Sequence, residues 1–395
     1  MTAHTSPTCG PLAGVHVVDF SSFIAGAFAA TVLGDMGASI VKVESLAGDA
    51  ARQWGPFLNG ESRMFQGWNR NKRSIAVDLR SDKGREIVYD LVRRADIVVE
   101  NFRPGITHKL KIDYPVLKAT NEKLIYLSIT AFGTKGPYGE RPGYDPILQA
   151  LTGAARGNIR YTGNTGICSV AISDFGSALL GACGLLAALY HRERTGQGQF
   201  LETTLLQAAM TLQSHMFVKA LDTEEKPPLG IFPYQFYRTK DDIIFLACGT
   251  DRFWQLLCEA IGAPEWAENP RYKSNAERVT HTEELKAKLE ERLAAKTTKE
   301  WSRILVERGV PCAPPQTYEE WFGDPQVAAM DMNPTVQHTT IGRMQLSGIP
   351  IHFQETPGAI QSAPPTLGEH TDAVLTELGY SPETIASIRE AGVVR

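Results

Sequence analysis

The sequence predicts an α/β fold: a parallel sheet covered by helices on both faces, with a smaller α+β domain set into the chain. Three observations point there. The first third holds short strands that are apolar on both faces, amphipathic segments alternate with them, and the grain changes after Gln207, where helices dominate. At 395 residues the chain has room for two or three domains of about 150 residues each.

Residues 15–20 read as a buried strand and residues 25–37 as the helix that follows. Ser39–Glu44 is a second strand. Residues 83–94 form a helix with Ile87, Val88, Leu91 and Val92 on one face. Residues 95–100 and 124–129 are the third and fourth strands. The uncharged run 175–190 carries Gly176, Gly181 and Gly184 and falls short of the roughly 20 residues that a bilayer crossing needs, so it reads as a closely packed core helix. Residues 222–228 are polar and proline-containing, a linker. Beyond them come a strand at Ile243–Ala247 and helices near 253–261, 282–295 and 299–308. The tail offers a strand candidate at 349–353 and a helix at Thr371–Leu378.

Forty basic against 44 acidic residues leave a net charge of −4, and no lysine- or arginine-rich run marks a nucleic-acid footprint. The start, Met1 to Pro7, lacks the basic and apolar parts of a secretory signal. The six cysteines are scattered, with no C-x-x-C pair, which predicts reduced thiols, no metal site and a cytoplasmic protein without a membrane partner. A nicotinamide enzyme is excluded by the turn after Asp19. Only Gly26 stands where the three glycines of G-x-G-x-x-G are needed for a tight turn, pyrophosphate approach and helix packing, so Glu44 reads as a strand-end carboxylate and not a ribose ligand.

Three places could carry chemistry. Residues 69–74, Asn-Arg-Asn-Lys-Arg-Ser, read as a turn on which amides and cations could meet a phosphate, or equally as a solvated surface turn. Residues 100–105 follow the third strand, where open α/β sheets bind ligands. Asn101 offers an amide there, Phe102 a ring face and Arg103 a charge, although an ordinary β–α turn would look the same. Asp174 precedes the apolar helix. The commonest role of an aspartate there is to cap the helix, and the same position also suits an anchored nucleophilic carboxylate. Local sequence leaves the two roles open.

Together these runs resemble the class III CoA-transferases, the CaiB/BaiF family, whose relatives include formyl-CoA transferase, carnitine CoA-transferases and α-methylacyl-CoA racemase. The matching segments are GPLAG at 10–14, GASIVKVE at 37–44, NRNKRS at 69–74, ENFRPG at 100–105, RPGYD at 141–145, Asp174 with its helix, RERTGQGQ at 192–199 and LGEHTD at 367–372. The resemblance implies a Rossmann-like large domain with a parallel sheet built from both chain ends (1–221 and 319–395), a small domain at 222–318, and an interlocked homodimer. It implies coenzyme A as acyl-CoA co-substrate and a small carboxylic acid as partner. Asp174 would be the nucleophile, passing through an aspartyl anhydride and an aspartyl-CoA thioester. Lys72, Asn101, Phe102 and Lys109 would contact CoA, with Arg70, Asn71, Arg73 and Arg103 beside them, and Tyr144 and Asp145 would stand at the substrate.

Departures narrow the choice. The racemase branch has a histidine where Tyr144 stands, and a phenol with a reference pKa of about 10 is a poor base near neutrality. Gly230 to Gln235 replace the glycine-rich loop of the oxalate transferases, and Ile24 replaces their glutamine. The first departure speaks against a racemase and the other two against oxalate as the acid, so a CoA:carboxylate transferase is expected, with succinyl-CoA as a possible donor. A CoA-thioester racemase or isomerase is the alternative, and a non-catalytic CoA-binding protein a third reading.

Overall fold

The computed structural model describes residues 9–159, 165–222 and 230–395, so the expected linker lies outside it apart from Asp222. Two compact units emerge. One comprises the chain up to Arg156 with Ile167–Phe217 and Pro325–Arg395, and the other chiefly the stretch that ends at Asp324.

The first unit is built on six strands: β1 (His16–Asp19), β2 (Ser39–Glu44), β3 (Lys72–Ala76), β4 (Ile97–Glu100), β5 (Ile125–Thr130) and β6 (Phe200–Thr204). All neighbours are parallel, in the order β3-β2-β1-β4-β5-β6. This is the doubly wound order, with the chain changing direction between β1 and β4. Helices α1 (Ala25–Asp35), α2 (Asp82–Arg94), α3 (Asp145–Leu151), α4 (Ile172–Thr195) and α5 (Leu205–Leu212) accompany the sheet.

Strand side chains alternate between two cores. Val17, Ile40, Ile97 and Ile125 belong to the core that includes residues of α1, α4 and α5. Their neighbours Val18, Val41, Val98 and Tyr126 belong to the other, with α2 and the helices Thr371–Leu378 and Pro382–Glu390. The far chain end thus covers the sheet with helices and adds only an isolated bridge, Val394 to Val77, in place of a strand.

Helix α4 extends well past the apolar run and is, by length and composition, able to cross a bilayer. One side is close-packed on the sheet. A Cβ added to Gly181 would lie 2.9 Å from Leu127 Cδ2, and Ala178, Ala182, Leu185 and Ala188 are buried beside it. The other side leaves Leu179, Leu180 and Tyr190 exposed.

The second unit is α+β. Strands Tyr234–Arg238, Ile243–Ala247 and Cys312–Ala313 form an antiparallel sheet. Helices Asp251–Ala260, Thr282–Leu293 and Thr298–Glu307 pack on it through Trp254, Leu257, Leu289 and Trp301.

Two expectations are corrected. Residues 349–353 form no strand, and Pro350 has no N–H to donate to a ladder; the tail pairs instead as a hairpin of Thr335–His338 with Gly342–Gln345. Residues 69–74 are not an open turn. The turn is confined to Arg70 and Asn71, the latter with φ 59°, and β3 begins at Lys72.

Candidate active site

The crevice at the switch point between β1 and β4 is fastened by side chains from both strand ends. Asn101 accepts from Ser22 N at 2.8 Å and donates to Ser22 O at 2.7 Å. Asp49 accepts from Ser22 Oγ at 2.5 Å and from Phe23 N at 3.1 Å, while Lys42 Nζ donates to Ser21 O at 2.6 Å. These bonds hold Phe23 at φ 60°, a backbone region that a bulky residue enters only when its surroundings impose it. Gly26 makes the arrangement possible, because a Cβ there would meet Ser21 Cβ at 2.5 Å.

The Phe23 ring sits 4.9 Å from Trp54 and 6.1 Å from Tyr144, centroid to centroid, and all three line a cavity of about 560 Å³. Its walls also include Asn101, Phe102 and Arg103 after β4, Phe132 after β5, Tyr144 and Asp145, and Asp174. Carboxyl ends of strands at a topological switch point are where such sheets bind ligands.

Asp174 occupies the first turn of α4, yet it does not cap that helix. Capping falls to Asp145, which is 3% exposed: its Oδ1 accepts from Ser173 N at 2.7 Å and Ser173 Oγ at 2.5 Å, and its Oδ2 accepts from Gln149 Nε2 at 2.6 Å. Among the described residues, no hydrogen bond to the Asp174 carboxylate is found. Burial, followed by the nearby Asp145 charge, pushes its pKa up to about 7. The positive end of the α4 dipole works in the opposite direction.

Glu100, buried at the end of β4, accepts from Phe102 N at 2.8 Å and so holds the loop above it. Burial raises its pKa to about 7.

The structure does not bring all the expected CoA ligands to this cavity. Lys72 is 1% exposed and donates to Asp19 Oδ2 at 2.8 Å, Ala27 O at 2.7 Å and Asn69 Oδ1 at 2.9 Å, which uses all three of its protons. Burial pushes its pKa down to about 8. Burial opposes the charge on Asp19, but Lys72 and Lys42 outweigh it and hold that carboxyl below its ordinary value. Asn71 bonds Asp35, Ala359 O and Gln361 N, Arg70 pairs with Asp35 at 2.6 Å, and Arg73 pairs with Glu377 at 2.7 Å. Asn71, Lys72 and Arg73 border a different cavity, at the amino-terminal edge of the sheet where His16 and Ser39 begin their strands. Lys109 is exposed on the helix Ile106–Leu110 and lines neither cavity.

Reading the sequence passed over two features. Lys42 stands among Ile40, Val41 and Val43 in a buried strand, a signal that a carboxylate must lie close by; Asp49 does, at 3.0 Å. Arg141, within the RPGYD run, was given no role, but it lines the cavity with Asp174.

A doubly wound sheet with a ligand-sized cavity at its switch point, and Asp174 in the wall of that cavity, is the architecture of an α/β enzyme. The chain belongs to CoA-transferase family III, whose model matches residues 12–371, and the protein is a CoA-transferase. It is 33% identical to the succinyl-CoA:glutarate CoA-transferase of Homo sapiens, over 97% of this chain and 90% of that one. It is 34% identical to the acetyl-CoA:oxalate CoA-transferase of Acetobacter aceti, over 82% and 85%. The crystal structure of a CaiB/BaiF family protein from Brucella suis superposes with a TM-score of 0.81 at 34% identity, covering 94% of this chain and all of that one.

Proposed function

We propose that the protein moves CoA from a donor thioester such as succinyl-CoA to a small organic acid, with Asp174 as the nucleophile. The observation that carries this reading is the division of labour between two aspartates. Asp145 fastens the start of α4, and the Asp174 carboxylate lines the cavity with no hydrogen bond from the described residues.

Asp174 Oδ attacks the thioester carbonyl, the C–S bond breaks, and an aspartyl anhydride forms with CoA thiolate. The thiolate attacks the aspartyl carbonyl, which releases the donor acid and leaves an aspartyl-CoA thioester. The acceptor carboxylate attacks that thioester to give a second anhydride and CoA thiolate. The thiolate then takes the acceptor acyl group and frees Asp174. Each exchange trades one activated acyl bond for another, the gain expected of covalent catalysis.

Asn101, Phe102 and Arg103 line the cavity at the carboxyl ends, which supports them as CoA contacts, and the presence of Tyr144 in the same wall supports a contact with the acid. The relatives' names, with glutarate and oxalate as acceptors, support a dicarboxylic acid. Exposed Ile147, Leu151, Leu179, Leu180, Met210 and Leu212, on three helices that pack on one another, support a homodimer. Neutral hydroxylamine added during turnover should convert Asp174 to its hydroxamate, detectable by peptide mass. Modification at another residue, or none in an enzyme that is turning over, would remove Asp174 from this role.

A further inference from the structure

The cations lining the Asp174 cavity, among the described residues, are Arg103 and Arg141. Much of the remaining wall is aromatic or aliphatic, including Ile24, Trp54, Met64 and Phe132. An acid carrying a second charge away from its reacting end would strand that charge among apolar groups unless one of the arginines met it.

The two arginines are held differently. Among the described residues Arg141 has no carboxylate partner. Its guanidinium carbon lies 5.1 Å from the Tyr138 ring centroid and 5.9 Å from that of Phe132, which is itself buried in the cavity wall. Ring faces hold the guanidinium plane while leaving N–H groups for a carboxylate, which can take two at once. Arg141 also lies four residues before Asp145, the side chain that anchors Ser173 next to Asp174. Arg103 has no such support. Both side chains are exposed, and Arg103 lies in the loop after β4, where it can follow a long phosphate-bearing ligand.

We infer that Arg141 is the specificity-determining residue of this cavity, receiving the distal carboxylate of a dicarboxylic acid whose other carboxylate exchanges acyl bonds at Asp174. The inference rests on the reading of Asp174 as the nucleophile.

The test compares succinate with butyrate as acceptors, with acetyl-CoA as donor, in the unaltered enzyme and in Arg141→Gln, Arg141→Lys and Arg103→Gln. The unaltered enzyme should prefer succinate. Arg141→Gln should lower the ratio of kcat/KM for succinate over butyrate about 10- to 100-fold, the value of a charge-assisted hydrogen bond. Arg141→Lys should fall between, since lysine supplies the charge without the fork. Arg103→Gln should raise KM for acetyl-CoA and leave the acid ratio in place.

A ratio unchanged in Arg141→Gln, a fall seen only in Arg103→Gln, or an effect of Arg141→Gln confined to KM for acetyl-CoA would each overturn the inference. A hydroxylamine adduct on Asp174 alongside any of these results would leave the nucleophile standing and sink the role of Arg141 alone. Failure of the unaltered enzyme to transfer CoA to any acid, with no adduct, would sink both.

Discussion

Two charged regions of the first unit, equally suggestive in sequence, have opposite fates in the fold. Around β3, Lys72 is saturated by Asp19, Asn69 and Ala27 O, and Asn71 is engaged by Asp35, Ala359 O and Gln361 N. Around the switch-point cavity, Asp174 and Arg141 have no charged hydrogen-bonding partner among the described residues, and aromatic rings surround them. The amount of charge is similar. What separates a structural cluster from a reactive one is whether each donor and acceptor is already engaged, because a satisfied buried ion gains little from a ligand and an unsatisfied one gains much.

Removing the open carboxylate is the sharpest way to break this contrast. Asp174→Ala should lower CoA transfer by about 10³-fold or more, as loss of a covalent nucleophile does, while equilibrium binding of CoA changes little. Stopped assays and calorimetry check the two halves.

The closed cluster should answer in stability instead. Lys72→Met strands Asp19 in the interior and should cost about 3–5 kcal/mol in urea unfolding. Loss of CoA affinity without loss of stability would show that Lys72 serves the ligand after all.

A subtler contrast comes from Asp174→Asn. The native carboxyl, raised to about 7, holds a proton that the unfolded chain releases near the ordinary aspartate value of 3.8. Its contribution to stability is therefore most favourable below that value and declines as pH rises to about 7. The neutral amide escapes this decline, so the inactive variant should be more stable than the parent at pH 8 by about 1–3 kcal/mol and equal to it near pH 4. Melting curves at both pH values measure the difference.

The smallest effect is on the pH profile. If Asp174 reacts as its anion, kcat/KM rises with pH through about 7 in the free enzyme. Asp145→Asn keeps an oxygen for Ser173 N but removes the negative charge, and should move that rise to lower pH. An unmoved profile would assign it to Glu100, whose carboxyl is raised to the same region.

Much of this was legible in the sequence. Short runs apolar on both faces marked β1, β2, β4 and β5, and the longer apolar run marked α4. Strand β6, Phe-Leu-Glu-Thr-Thr, lies at the sheet edge and is half polar, so it lacks the buried-strand signal. Strand β3 opens with Lys-Arg-Ser, which reads as surface until Asp19, 53 residues earlier, is known to lie beside Lys72. The same distance effect hid the capping aspartate. Asp174 sits in the position that local rules assign to a cap, and only the tertiary fold brings Asp145 to Ser173, 28 residues away.

The crowding of two aspartates at the start of α4 also bears on the reaction's intermediates. Acylation of Asp174 would turn an anion into a neutral ester-like group. The repulsion from Asp145 and the unfavourable hydration loss would vanish together. In the proposed reaction such a cavity would favour the acylated form of Asp174 and offset part of the high energy of an anhydride.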